Sequence, residues 1–505
     1  MLTITPKGNR ARLGGHIPES LEKDLRRRFS WVSPIDMTDE VFFYMDRIMY
    51  SGIVEAMAEF LCSIGEEVAI DYPMLPADRR NWEMKRSYRP LQKAVVEAVV
   101  EIRYGMVQAP PGVGKTNMMA GAICEIGLPG TFVVVMNERP FTQAFVTLSE
   151  HTTIPKVGRL GNGYTDIQDV TVATIQTITS ALTNNPEGPV ATAWKNAKVV
   201  FVDEAHHAGS DGHIEAFNEL NDVYYLVGFS ATPHRDDDRH DFLGALLGSI
   251  IAKITRTDAI NHRLSVPLTI FIDDVPEQAY ADIFAEKQEA LSKIPRVKGK
   301  KQRAWTPFDI VYEKYVINNP VRNQMGLDFI QAGVDSGLSG VLSVKRLEHI
   351  QALQALDPSI VALHGKTADR ERIFGELNNQ TTMKVASTLM DEAVDAPSLS
   401  LVAMLAAGTS SVKLEQRIRC DRTFEGLTVN GFFAKQRGYV LYPRDHVDFL
   451  TTQSLDTVKL LKRIADEHHE HELIINGNLI PRKNGKLGPI PRYKSVGSAF
   501  RKKAA

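Results

Sequence analysis

One segment constrains this chain more than any other: A-P-P-G-V-G-K-T, residues 109 to 116. It follows the strand-like GMVQ and precedes the helix-like NMMAGAICEI. A glycine-rich turn in that setting closes backbone N–H groups around a phosphate, and the helix N-terminus adds the positive end of its dipole. Pro111, Gly112 and Gly114 shape the loop, Lys115 is placed to reach the β- and γ-phosphates of ATP, and Thr116 to hold Mg²⁺ through its hydroxyl. The strict pattern has glycine where Ala109 stands.

A loop of this kind needs a parallel sheet around it. From about residue 88, short β-branched runs alternate with amphipathic stretches: GMVQA, TFVVVM, VTVATI, KVVFVDE and YYLVGFSA. Continuous apolar runs suit strands buried on both faces, and their alternation with helices implies βαβ units. A second alternating region, with SGVLSV, SIVALHG, MKVAST, LSLVAML and GYVLYP, has no phosphate loop of its own. Residues 1–80 read as a small separate α+β domain, with helix-like stretches at Glu19–Phe29 and Gly52–Ile64. Leu75–Lys85 reads as a polar linker into the first α/β region, 86–260. A linker over 261–315 and a second α/β region over 316–465 follow, with a basic tail over 476–505.

The remaining composition narrows the class. A length of 505 residues implies about three domains. The net charge of −2 excludes a polycation, so nucleic-acid affinity must come from local patches. Two such patches stand out: Lys293–Arg303, with six basic residues and no acid, and the tail, with eight. The first reads equally as a solvated linker or as a DNA-facing loop, and the second as a mobile tail or a basic arm. Cys62, Cys124 and Cys420 match no zinc spacing and favour a reducing compartment. No apolar run approaches a membrane span, and the N-terminus lacks a secretory core, so a cytoplasmic protein without membrane contact is expected. The group His468-His469-x-His471, set among four acids, reads as an exposed helix rather than a metal site.

Two further motifs carry chemistry. In V-V-F-V-D-E-A-H, residues 199 to 206, four apolar residues lead to two carboxylates at a strand's C-terminal end, where α/β sheets place ligands. Asp203 would join the Mg²⁺ shell, and Glu204 would orient and deprotonate the attacking water. After the next apolar run comes Ser230-Ala231-Thr232-Pro233, whose Ser230 and Thr232 can bond back to His206 and couple nucleotide state to domain position.

The order of AxxGxGKT, DEAH and SAT resembles the superfamily 2 helicases, over about residues 88–445. That resemblance implies two RecA-like parallel-sheet lobes in tandem, with ATP and Mg²⁺ as cofactors. It places Arg89 and Gln92 in the adenine-reading element and Thr174 and Gln176 of VATIQT in a strand-contacting motif. Lys345, His364 of the "HG" element and Thr388 are implied as further nucleic-acid contacts, and Asp395 of D-E-A-V-D-A-P would face the nucleotide. The last motif, Q-R-x-G-R-x-x-R in the family, reads Gln416-Arg417-Ile418-Arg419-Cys420-Asp421-Arg422 with its glycine deleted. If the segment is helical, Arg419 and Arg422 share a face and serve as arginine fingers beside Gln416. The motif after the second strand also departs from the family: Glu138 stands where a phosphate contact is expected, leaving Arg139 as the candidate.

S-A-T-P-H-R-D and DEAH rather than DEAD resemble the phage UvsW-like and XPB-like DNA helicases. The expected function is ATP-dependent remodelling of branched DNA in a bacterial or phage-infected cell, acting as a monomer, with RNA a less favoured substrate. An ATP-switched binding or annealing protein, an RNA helicase and a restriction-complex motor subunit stay open as alternatives.

Overall fold

The computed structural model describes residues 1–32, 40–136, 138–208, 211–232, 240–280, 312–378, 382–390, 396–406, 417–423, 428–429, 433–446 and 448–490. The chain forms two compact units, Met1–Thr255 and Arg256–Ala505.

The first unit opens with a five-stranded sheet ordered Tyr44–Met45, Ile48–Tyr50, Arg10–Gly14, Leu2–Lys7, Val68–Ile70. Alternate residues of Leu2–Lys7 are buried, as a half-buried strand requires. Helices Glu19–Arg28 and Val54–Ser63 add Leu25, Val54, Met57 and Leu61 to the same core. This domain is less separate than the sequence suggests. Asn9 Nδ2 donates to Phe217 O at 2.8 Å, and Phe43 packs edge-on against Phe242 at 5.2 Å. Gly52 lies so close to the helix His240–Leu247 that a Cβ there would stand 2.4 Å from Ala245 O. The expected polar linker is likewise pinned: Arg80 N–H donates to Gly127 O at 2.6 Å, and Trp82 is buried.

The large sheet of this unit runs Tyr164–Asp166, Val157–Gly161, Val170–Thr174, Thr131–Val135, Val199–Asp203, Tyr225–Ser230, Tyr104–Gln108, Ile250–Lys253. All neighbours are parallel except the first pair. Thr131–Val135, Val170–Thr174 and Tyr225–Ser230 are buried at every position, which explains their unbroken apolar runs.

The second unit holds an eight-stranded sheet ordered Val361–Leu363, Lys384–Ser387, Gly340–Ser343, Leu401–Met404, Gly438–Arg444, Leu268–Asp274, Glu472–Ile475, Asn478–Leu479. Only the last pair is antiparallel. Two expected boundaries therefore move. Leu268–Asp274, expected within a linker, is an inner strand of this sheet, because LTIFI has an apolar neighbour on each side. Residues 476–490, expected as the start of a tail, form two tight hairpins with Asn476-Gly477 and Asn484-Gly485 at positive φ. Leu487 is buried in the core, and its N–H donates to Asp466 Oδ1 at 2.7 Å. Residues 491–505 and the basic segment Lys293–Arg303 lie outside the described residues.

The histidines are also placed differently. The helix Asp448–Asp466 ends before them, and His468 and His471 are buried. His471 Nδ1 accepts the Leu268 N–H at 2.8 Å, and burial, with Arg256 nearby, lowers this imidazole to about 3, so it stays neutral. Among the described residues no group of three or more His, Cys, Asp or Glu is placed to hold a metal ion.

Candidate active site

In the first unit, three motifs meet at the C-terminal ends of adjacent strands. The phosphate loop follows Tyr104–Gln108 and caps the helix Lys115–Ile126. Gly112 (φ +89°) and Gly114 (φ +88°) adopt the left-handed conformation that lets the loop close, a region costly for other residues. Gln92, expected in an adenine-reading element, is buried and tied to this loop. Its Nε2 donates to Val113 O at 2.8 Å, and its Oε1 accepts the Arg89 N–H at 3.0 Å. The Arg89 side chain is exposed.

The strand Val199–Asp203 lies beside Tyr225–Ser230, which in turn borders Tyr104–Gln108. Lys115 Nζ stands 3.7 Å from Glu204 Oε1. Burial and the neighbouring Glu204 push the Asp203 carboxyl up to about 6, with Lys115 opposing. Glu204 itself sits at φ +49°, an uncommon conformation for a side-chain-bearing residue and a form of strain that clusters at functional sites. It precedes the short 3₁₀ turn Ala205–His207. Two carboxylates against one ammonium leave a negative, half-buried site. Asp203, and Thr116 next to Lys115 in sequence, are oxygen donors of the kind Mg²⁺ takes.

Of the two hydroxyl residues expected to bond back to His206, Ser230 does so, and Thr232 reaches Ser230 instead. His206 Nδ1 lies 3.0 Å from Ser230 Oγ, which also accepts the Thr232 N–H at 3.1 Å. Ser230 O accepts the Ala109 N–H at 3.0 Å, so one residue touches both the DEAH turn and the phosphate loop.

The nucleic-acid candidates fall into two groups. In the first unit, Thr174 is buried and shares its hydroxyl with Thr177 Oγ1 at 2.8 Å. Gln176 is exposed at the start of the helix Ile175–Asn184 and donates to Met136 O. Arg139 lies in the first turn of the helix Glu138–His151, and its side chain is outside the described residues. In the second unit, Lys345, His364 and Thr388 follow three adjacent strands and gather at one sheet end. There Thr388 N–H donates to Leu363 O at 3.2 Å, and Val344 N–H donates to Ser387 O at 3.0 Å.

The shortened arginine motif does not continue as a helix. Helical structure stops at Arg417, and the chain turns so that Arg422 bridges Ser265. The shared-face argument for Arg419 and Arg422 therefore does not hold, since those positions are linked by a turn in which Arg422 N–H donates to Arg419 O at 3.4 Å. Arg419 is 3% exposed, Arg422 is half-buried, and Arg417 Nη1 donates to Ala406 O at 3.2 Å. Gln416 and Asp395 lie outside the described residues. Sequence reasoning missed the partners of this turn, Arg256, Ser265 and Lys435. No local pattern announces them, because each is distant in sequence or isolated.

Comparison with known proteins agrees with this arrangement. Residues 85–235 match the family described as "Type III restriction enzyme, res subunit". A protein described as a helicase in Sulfolobus islandicus filamentous virus is 24% identical over 403 residues, covering 77% of this chain and 68% of that protein. The DNA 3'-5' translocase XPB2 of Sulfurisphaera tokodaii is 28% identical over 186 residues, or 37% of this chain and 39% of that one. The chain thus spans well under half of this second relative. A fragment described as an HsdR subunit of a type I restriction enzyme from Vibrio vulnificus superposes with a TM-score of 0.51 at 15% identity, covering 79% and 71% of the two chains. The UvsW structure from T4 matches over 94% of this chain and 99% of its own, with a TM-score of 0.41 and 14% identity. The chain resembles the superfamily 2 helicases, XPB-like members among them, and the enzyme class its similarities support is an ATP-dependent helicase or translocase.

Proposed function

We propose that the chain is an ATP-driven DNA motor that remodels branched DNA: forks, D-loops or Holliday junctions. The observation that carries the motor reading is the contact chain from Lys115 through Glu204 and His206 to Ser230 and back to the phosphate loop. It joins the groups that would hold a triphosphate to a relay that can sense its loss.

In this reading Lys115 binds the β- and γ-phosphates, and Thr116 and Asp203 hold Mg²⁺, which when bound neutralises charge on the transferring phosphoryl group. Glu204, 3.7 Å from Lys115, orients the attacking water and takes its proton. Gln92 and Arg89 read the base, and Asp395, Gln416, Arg419 and Arg422 are the second lobe's groups for ATP hydrolysis. DNA is the partner, contacted through Arg139, Thr174, Gln176, Lys345, His364 and Thr388, and the acting species is a monomer in a bacterial or phage-infected cytoplasm. No helix of the described residues is long and apolar enough to cross a membrane.

The branched-DNA reading is supported by the similarity to DNA helicases and translocases and by the accessory domain packed on the ATP-binding lobe. ATPase and strand displacement on single-stranded, duplex, forked, four-way and RNA substrates test it. Greatest turnover and unwinding on forked or four-way DNA is expected. DNA-stimulated ATPase without displacement would select the ATP-switched binding module instead, and RNA-dependent turnover would select an RNA helicase.

A further inference from the structure

Lys435 is a lysine 6% exposed, a rare state for this residue unless its charge is fully compensated. Here it is. The ammonium donates to Pro397 O at 2.8 Å, Leu399 O at 2.5 Å and Arg422 O at 2.8 Å, which uses all three of its protons. A core that needed only filling would place a leucine or methionine there. The three carbonyls belong to two segments with one assignment in common. Pro397 ends the motif Asp391–Pro397 and Leu399 lies two residues beyond it, and Arg422 closes the shortened arginine motif.

The same turn has a second anchor. Asp421, between the two arginines, takes Arg256 Nη1 at 2.5 Å, and Arg256 Nε reaches Glu467 at 3.1 Å. The Asp421 carbonyl accepts from Ser265 Oγ at 2.7 Å and from Val266 N–H at 2.8 Å. Below it, Gly438 lets the strand approach so closely that a Cβ would stand 2.3 Å from Cys420 O. The backbone from Cys420 to Arg422 is therefore fixed residue by residue, although the family's glycine is missing and the helix has ended.

We infer that Lys435, with the Arg256–Asp421 pair, is a positioning residue for ATP hydrolysis. It locks the shortened arginine turn to the backbone at Pro397 and Leu399, so that Arg419 and Arg422 are held in one fixed position. This rests on the reading of Arg419 and Arg422 as groups acting on the transferring phosphoryl. Burial lowers the Lys435 ammonium to about 8, with Cys420 and Asp421 opposing, so it keeps its charge at neutral pH.

The test uses the full chain with duplex DNA. Lys435→Met and Asp421→Asn are compared with wild type for kcat, for KM, and for affinity toward ADP with and without aluminium fluoride, which mimics the transferring phosphoryl. Loss of register by about an ångström lowers turnover by roughly 10²-fold. The expected result for Lys435→Met is such a fall in kcat with KM and ADP affinity near wild type, together with loss of the tighter binding that aluminium fluoride confers. Asp421→Asn, which keeps the carbonyl contacts and should fold if Lys435→Met does not, is expected to show the same pattern more mildly. Unchanged kcat in either folded variant, or a fall in kcat with the aluminium fluoride effect intact, overturns the inference. Wild-type chain that hydrolyses no ATP overturns the motor reading and this inference together.

Discussion

Asp203→Asn is expected to make the nucleotide-free protein more stable while abolishing its ATPase. The Asp203 carboxyl is held at about 6 instead of its ordinary 3.8, first by burial and then by Glu204. That difference corresponds to ~3 kcal/mol between its two protonation states. A carboxyl raised on folding binds its proton more tightly in the native chain. Stability therefore falls as pH rises from about 4 through about 6, and the full cost of the charge is present above pH 7. Asparagine carries no charge and can still accept the Glu204 N–H that Asp203 Oδ1 takes at 3.0 Å. The variant should thus gain up to ~3 kcal/mol at pH 8 and almost nothing at pH 4. For a unit of this size each kcal/mol moves the melting midpoint by roughly 2–4 °C, so the gap at pH 8 should approach 10 °C or somewhat less. Thermal unfolding of both proteins from pH 4 to pH 8, without nucleotide, reads this directly. Adding Mg²⁺ and ADP should reverse the order by stabilising wild type alone. A gap that does not change with pH, or wild type the more stable at pH 8 without ligand, refutes the reasoning that burial and Glu204 disfavour the Asp203 charge.

Three further outcomes are expected. Lys115→Ala and Glu204→Gln should both stop turnover but differ in binding: the first weakens ATP affinity, the second traps ATP, and equal loss of ATP binding would count against the assigned roles. Deleting Lys293–Arg303, or the residues after Ile490, should weaken DNA binding for every sequence and flatten its salt dependence, because fewer counterions are released; an unchanged slope returns both to solvated segments. Arg419→Ala and Arg422→Ala should each cut the ATPase rate by orders of magnitude with little change in nucleotide affinity. Arg417→Ala, which strips a partner from Ala406 O, should instead lower the melting midpoint, and a severe ATPase defect confined to Arg417→Ala would reassign the finger.

The ATP-binding lobe was legible because its signals are local. A strand, a glycine-rich turn and a helix are contiguous in 104–126, and the carboxylates of 203–204 end an apolar run. The second sheet was legible in part, through the same apolar runs, but its inner strand Leu268–Asp274 is recruited across more than sixty residues, and its neighbours on both sides come from beyond residue 437. The hairpins of 476–487 did carry a local signal. Asn-Gly twice over is the strongest short hairpin mark, yet the run of basic residues suggested a tail.

Charge misled the sequence reading wherever the partner was remote. His468 and His471 sit among acids and look solvated, but the Leu268 N–H at a strand start needs an acceptor, and His471 supplies it from 203 residues away. Periodicity misled it at Arg419 and Arg422, where the spacing i, i+3 has meaning only if the helix continues. Pairing of Arg422 with Ser265 and the anchoring of Asp421 by Arg256 divert the backbone first. Lys435 is the sharpest case. In G-F-F-A-K-Q-R-G it reads as a surface lysine, and nothing in those eight residues distinguishes it from one. Its role is set by three carbonyls, at Pro397, Leu399 and Arg422, that only the folded second lobe brings within reach. A buried ammonium that can be satisfied in one arrangement alone penalises every other arrangement of those segments. The residue that looks least informative in sequence thus does the most to specify where the arginines stand.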